Sequence, residues 1–285
     1  MTCSKAETQL IQSLTDRYGE GEASSISRIV MEDIFRYYRR SLDRDLSTEE
    51  SINFEAISAR LLSGEPVQYV MGVADFFGLK FMVTPAVLIP RQETEELVSE
   101  ILKYLKSHVA DRPTLLDIGL GSGCIGLTLK KKWPRLQLYG MEKSEAALAV
   151  AQKNAELLLG DDFRGTQLFQ GDILEVESWD NLPSFDIVVS NPPYIPTTEK
   201  HLVPQHVQAH EPWLALFVES DDPLLFYRVI ADFAGKKLQP GGMLFFECNE
   251  FNAVEVAQLL REKGFKDVRL QQDLSGADRM VRGRG

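Results

Sequence analysis

The sequence predicts an α/β protein: a mostly parallel sheet with an antiparallel C-terminal edge pair, preceded by a small all-α domain and a hairpin linker. Three observations carry this. No strand signal interrupts roughly the first seventy residues. Between Phe76 and Ile89 short apolar stretches are broken by Gly78 and Pro85, as in a hairpin-like connector. Beyond it, apolar runs of strand length alternate with helical patterns, which implies right-handed crossovers and helices on both faces of the sheet. The domains expected are 1–74 (helical), 75–92 (linker) and 93–285 (α/β).

Ser4 and Glu7 have capping-box spacing; Leu10, Ile11, Leu14 and Tyr18 follow on one face, and Gly19 stands where a helix should stop. A second amphipathic run carries Ala23, Ile26, Val30 and Ile34. A third begins at Ser47, with Glu50 three residues on, passes through Ile57 and Leu61 and stops at Gly64. Strands are expected at Thr114 to Ile118, Gln137 to Met141, Gln167 to Phe169, Phe185 to Ser190 and Met243 to Phe246. The helices between and after them are Ile125–Lys132, Glu145–Leu159, Leu224–Phe233 and Ala253–Lys263. Val268 to Leu270 and Met280 to Val281 form the edge pair.

With 285 residues, 44% of them hydrophobic, the chain can bury a full core. The start lacks a signal-peptide core and no run approaches a membrane span, so a soluble, cytoplasmic protein is expected. Three scattered cysteines, Cys3, Cys124 and Cys248, fit neither a disulfide framework nor a close-spaced zinc site. A net charge of −11 argues against a phosphate-backbone partner. Of the four histidines, His201, His206 and His210 cluster without a partner ligand pattern, and no metal is expected. Residues Thr197 to Glu211, which hold them, are expected to be a mobile loop over the substrate.

The first strand runs into Gly119-Leu120-Gly121-Ser122-Gly123, a turn whose glycines let backbone pass close to a ligand. The next strand ends in Glu142, suited to the two hydroxyls of a ribose. The third ends near Asp172, placed for an exocyclic amine, with Ile173 able to cover an adenine. Ligands of open α/β sheets collect at the carboxyl ends of strands, where all three signals fall. The loop lacks the Gly-Lys-Ser/Thr of a phosphate cradle and departs from the dinucleotide spacing, although Gly126 keeps that alternative open. A nucleoside with a zwitterionic tail suits it, and S-adenosylmethionine has that shape.

The fourth strand opens into Asn191-Pro192-Pro193-Tyr194. Consecutive prolines fix φ and remove two donors, leaving nearby carbonyls as acceptors. Asn191 Oδ1 and the Pro192 carbonyl can each accept one N–H of a planar nitrogen on which Tyr194 stacks. Asn191 is also counted among the cofactor contacts.

Together with Gly64-Glu65-Pro66-Val67-Gln68-Tyr69, Val87-Leu88-Ile89-Pro90-Arg91-Gln92-Glu93-Thr94-Glu95, Glu211-Pro212, Ala215-Leu216 and Asp273-Leu274-Ser275-Gly276-Ala277-Asp278-Arg279, these motifs mark a resemblance. The chain resembles the class I methyltransferases that modify the glutamine of peptide-chain release factors, the HemK or PrmC family. The resemblance implies a Rossmann-like catalytic sheet and S-adenosylmethionine as cofactor, with S-adenosylhomocysteine as product. It implies as substrate the glutamine of a Gly-Gly-Gln loop in class 1 release factors, methylated on its amide nitrogen during the control of translation termination. It also implies that the helical domain and linker dock that protein. Leu120, Glu142, Gln92 and Asn249 stand where the family more often has Thr, Asp, Pro and Gly.

Two related readings are a ribosomal-protein glutamine methyltransferase and a nucleic-acid amino-methyltransferase; the acidic balance counts against the second. A binding protein or a nucleotide-dependent oxidoreductase on a similar sheet is the third alternative. A monomer without direct nucleic-acid contact is the default.

Overall fold

Thr2, rather than Ser4, caps the first helix. In α1 (Cys3–Asp33) the Thr2 hydroxyl accepts the Lys5 N–H at 3.4 Å, whereas Ser4 donates its hydroxyl to Asp43 at 2.6 Å. Gly19 does not stop the helix either. Its φ of 76° and ψ of 161° kink it, and the chain resumes helical geometry at once. The computed structural model describes residues 1–38, 40–108, 111–220 and 222–285, and the chain divides into two units, 1–73 and 74–285.

In the first unit α2 (Thr48–Leu62) begins with a full capping box, Ser47 accepting from Glu50 N–H while Glu50 accepts from Ser47 N–H. A short α3 (Val67–Met71) follows. Leu10, Leu14, Val30, Phe35, Phe54 and Leu61 make one core, with Phe35 and Phe54 packed edge to face at 6.0 Å. Each such side chain contributes about 1.5–3 kcal/mol on burial, so helices of modest amphipathicity are held by packing.

From the last residue of the first unit onward, β1 (Val73–Phe76) and β2 (Leu79–Met82) form the expected hairpin. Phe77 and Gly78 turn it with φ of 51° and 73°, the mirror-image geometry that matches strand twist. The helix α4 (Gln92–His108) opens the α/β domain in a stretch to which the sequence analysis assigns no element. Its Leu97, Val98, Ile101 and Leu105 are buried on one face.

The sheet then builds from β3 (Thr114–Ile118), α5 (Cys124–Lys132), β4 (Gln137–Glu142), α6 (Glu145–Leu159), β5 (Thr166–Gln170) and β6 (Phe185–Ser190). Two-residue β7 (Ile195–Pro196) pairs in parallel with β8 (Phe217–Val218) as a separate ribbon, a pairing the sequence does not signal. Between them, Thr197–Leu202 coils as a 3-10 helix, followed by α7 (Gln205–His210) and α8 (Trp213–Leu216), so that the expected loop has helical turns. The chain ends with α9 (Leu225–Lys237), β9 (Leu238–Glu247), α10 (Ala253–Glu262), β10 (Lys266–Gln272) and β11 (Asp278–Arg284).

Strand order is β10-β11-β9-β6-β3-β4-β5, parallel from β9 to β5, with β11 and β10 added antiparallel. Side-chain alternation splits the core into two layers: Leu116 and Val188 face α9 and α10, while Leu115, Ile187 and Val189 face α4 and α5. The α/β class with an antiparallel edge pair is therefore the observed one. Among the described residues, no helix is long and apolar enough to cross a membrane.

Candidate active site

Register brings the site together. Ile118 pairs with Met141 and Ser190, Met141 with Phe169, and Ser190 with Phe246, so these residues form one row across five strands. The next residue of each strand is Gly119, Glu142, Asn191, Gln170 or Glu247. Positions far apart in sequence thus share the carboxyl edge of the sheet, where α/β folds bind ligands.

At Gly119 the chain leaves β3. Gly119 and Leu120 both donate their N–H to the Met141 carbonyl, at 3.0 and 3.1 Å. Gly121, at φ 56°, donates its N–H to Glu142 Oε2 at 2.8 Å, and Ser144 N–H donates to Glu142 Oε1 at 2.9 Å. The carboxylate is thereby fixed in orientation with lone pairs to spare. Under the loop, Gly126 N–H donates to Asp117 Oδ2 at 2.9 Å; a Cβ there would stand 2.9 Å from that oxygen and from Leu138 Cδ1. Only glycine lets α5 approach β3 so closely. Asp117 is 1% exposed, and burial pushes its carboxyl up to about 7.

Leu120 turns inward. It is buried against Leu148 and Ala151 and lies across Gly140, which explains why an apolar residue is tolerated in the loop. Asn249 closes an Asx turn by accepting the Phe251 N–H at 3.0 Å. Asp172 accepts the Leu174 N–H at 2.9 Å and pairs with Lys143 at 3.0 Å, while Ile173 is buried and its carbonyl takes the Trp179 Nε1–H.

Gly119, Leu120, Gly121, Ser122, Glu142, Asp172, Ile173, Asn191, Pro192 and Pro193 line one cavity of about 470 Å³, a size suited to a small cofactor. Two of the expected residues fall outside this lining. Gly123 caps α5 at φ 81°, against Leu127, and Tyr194 packs against the α9 side of the core. Burial raises the Tyr194 phenol above its ordinary range, with Glu247 adding to the effect. The cations lining the cavity, Arg91 and Lys143, are both ion-paired, while Glu142, Asp172 and Glu219 line it too. That balance disfavours a pyrophosphate and suits a nucleoside bearing a cation.

The sequence reading assigned no role to several residues here. Glu247 ends β9 at 6% exposure, with the Thr94 hydroxyl and the Asn191 side chain as donors facing it, and burial pushes its carboxyl up to about 7. An acid closing the wholly apolar run Met243 to Phe246 was the available signal. Glu211, with its side chain 2% exposed, accepts from Arg91 at 2.5 Å and from the Ile89 N–H at 3.4 Å. This ties the Ile89-Pro90-Arg91 segment to Glu211-Pro212 beside the cavity.

Two family models match the chain. Residues 95–209 match the Methyltransferase small domain and residues 5–72 the PrmC N-terminal domain. The chain is 39% identical over 280 residues to the release factor glutamine methyltransferase of Flavobacterium psychrophilum, covering 96% of both chains. It is 40% identical over 275 residues to that of Bacteroides thetaiotaomicron, covering 95% of both. Among solved structures, the T. thermophilus 16S rRNA methyltransferase RsmC, in complex with AdoMet and guanosine, superposes with a TM-score of 0.52 at 19% identity, over 74% of this chain and 49% of that one. That likeness concerns the fold alone.

Proposed function

The chain belongs to the release factor glutamine methyltransferases, and from that premise we propose that it methylates the side-chain nitrogen of the glutamine in the Gly-Gly-Gln loop of class 1 release factors. The observation that carries the reading is Asn191, at the end of β6, on the wall of the cavity that Gly119, Gly121 and Glu142 also line.

S-adenosylmethionine is the cofactor, and the residues fit it. A Cβ at Gly119 would meet nothing within 4 Å, so the loop leaves open space above its backbone. Glu142, held by two backbone N–H groups, offers its remaining lone pairs to a ribose, and buried Ile173 offers an apolar surface to the adenine. When bound, the cofactor supplies an electrophilic methyl group on a sulfonium, with a neutral thioether as leaving group.

The tetrapeptide's work is then positional. Asn191 Oδ1 and the Pro192 carbonyl accept the two N–H bonds of the glutamine amide, fixing the nitrogen's direction and drawing electron density toward it. An amide nitrogen is a weak nucleophile because its lone pair is delocalised, so orientation matters, and in favourable cases it is worth on the order of 7–11 kcal/mol. Tyr194 packs against the core that α9 and α10 cover. In this reading residues 1–74 and the hairpin to residue 92 supply the docking surface for the release factor. The enzyme works in the cytoplasm as a monomer, without direct nucleic-acid contact.

The test is transfer of a labelled methyl group from S-adenosylmethionine to purified class 1 release factor, beside a Gln→Ala variant of its Gly-Gly-Gln loop. Label confined to the unaltered factor supports the reading. Equal label on both, or label only on a ribosomal protein, overturns it.

A further inference from the structure

Asn191 faces an ambiguity that its own position does not resolve. A carboxamide presents an acceptor on one side and two donors on the other, the two sides are nearly equal in shape, and which way they point is set by their hydrogen-bond partners. To receive an N–H from a substrate nitrogen, Asn191 must turn Oδ1 toward the cavity. Its Nδ2 then points into the protein and needs an acceptor there. A partner that could only donate would turn the group around and set donor against donor.

Such an acceptor stands beside it. Ser190 of β6 and Phe246 of β9 are register partners, so the residues that follow them, Asn191 and Glu247, emerge side by side on the face that carries Val189 and Phe245. Glu247 is nine-tenths buried, and its Oε2 is sealed from solvent with no hydrogen-bond partner. The side chains facing it as donors are the Thr94 hydroxyl, from the first turn of α4, and the Asn191 carboxamide. Thr94 is 3% exposed, so this donor comes from the packed interior. Around these groups stand Arg279, Tyr194 and Glu93, which act on Glu247 or on Tyr194 through charge, and Tyr227, whose hydroxyl donates to the Glu247 carbonyl at 3.3 Å.

We propose that Glu247 is a positioning residue: its carboxyl accepts the Asn191 Nδ2–H, and so holds Asn191 Oδ1 toward the substrate nitrogen. Neutral or ionised, a carboxyl keeps an oxygen that accepts, so the orienting bond survives protonation. This explains why an acid is kept in a buried place where burial penalises its charge: an apolar residue would pack there but leave the carboxamide free to flip. The proposal rests on the reading of Asn191 as the substrate-orienting group.

The experiment compares Glu247→Gln and Glu247→Met in the full-length enzyme. The readouts are kcat and KM for the release factor, calorimetric S-adenosylmethionine affinity and the thermal midpoint. Gln keeps an accepting oxygen, and is expected to retain at least about a third of the wild-type kcat. Met fills similar space without accepting, and is expected to lower kcat about tenfold or more, with KM and cofactor affinity within about threefold. In an Asn191→Ala background the Met substitution should lower kcat no further, because the group it orients is gone. Equal kcat for the Gln and Met variants overturns the proposal. So does an additive loss in the Asn191→Ala background, or a Met variant that no longer binds cofactor, since either assigns Glu247 a role in the fold at large. A wild-type enzyme that binds cofactor yet labels no release factor overturns the underlying reading and the proposal together, which distinguishes the two failures.

Discussion

Asn154 grips Met82 as a neighbouring strand would: its Oδ1 accepts the Met82 N–H at 2.7 Å and its Nδ2 donates to the Met82 carbonyl at 2.9 Å. The second Nδ2 hydrogen goes to the carbonyl of Ser122, also at 2.9 Å. One fully buried side chain on α6 thus ties the hairpin strand β2 to the glycine loop that floors the cavity. Replacing it by Leu leaves three backbone groups without partners, at about 1–3 kcal/mol each. Asn154→Leu should therefore lose roughly 3 kcal/mol or more of stability, read as a lower urea midpoint at an unchanged m-value, and should weaken cofactor binding through the loosened loop.

Glu142 joins the loop to the second strand end through Gly121, and the same carboxylate is the proposed ribose acceptor. Glu142→Ala removes both functions at once. Hydrogen bonds to a charged group are worth about 1.5–3 kcal/mol, so calorimetry should show cofactor affinity reduced by roughly ten- to a hundredfold. The release factor KM should stay within a few fold; an equal loss there would mean the acid serves the protein substrate.

Much of this was legible before the structure, for reasons that differ by residue. The strands at 114–118 and 185–190 are apolar runs bounded by turn residues, and the Ser47–Glu50 capping box is a local device, so both read directly. Ser4 and Gly19 misled because a cap and a stop are each decided by what the chain does next: Ser4 had a better partner in Asp43, and the turn after Gly19 had a core to return to. Glu247 carries no local signal for orienting Asn191. Their adjacency exists only through the β6–β9 register, a tertiary pairing that composition and spacing do not contain. The same holds for Asn154 and Met82.

Asp117 lies beneath the glycine loop with one oxygen bonded to Gly126 N–H and the other without a partner. Burial is the main cause that lifts its carboxyl from 3.8 to about 7, and Glu142 adds to the effect. A carboxyl raised on folding holds its proton in the native state after the unfolded chain has released it. Its stabilising contribution is complete below the unfolded value and declines as pH rises through the folded one. Asp117→Asn should gain on the wild type in urea stability between about pH 4 and 7 and level off above that. A constant difference across that range would refute the assignment.

Arg91 and Glu211 join two segments beside the cavity, Arg91 Nη2 donating to Glu211 Oε1 at 2.5 Å. The carboxylate is almost wholly buried while the guanidinium is 39% exposed, so solvent screens only one side of the pair. Arg91→Met strands the acid, with only the long bond from Ile89 left, and should cost about 1–2 kcal/mol once that screening is allowed for. Adding Glu211→Leu should recover part of the loss. A double-mutant cycle with no coupling would show that the two segments are held by packing instead.

Asn191 gives the sharpest separation of binding from chemistry. In the proposed reading its Oδ1 meets the nucleophile and contributes to reaction more than to affinity for cofactor, which the loop and Glu142 supply. Asn191→Ala should then lower the methyl-transfer rate by about a hundredfold or more, within the range that precise positioning contributes, while calorimetric cofactor affinity changes only a few fold. Single-turnover measurement with saturating release factor isolates the chemical step. A parallel fall in cofactor affinity would move Asn191 from the substrate to the cofactor, and the pairing with Glu247 would then orient a cofactor contact.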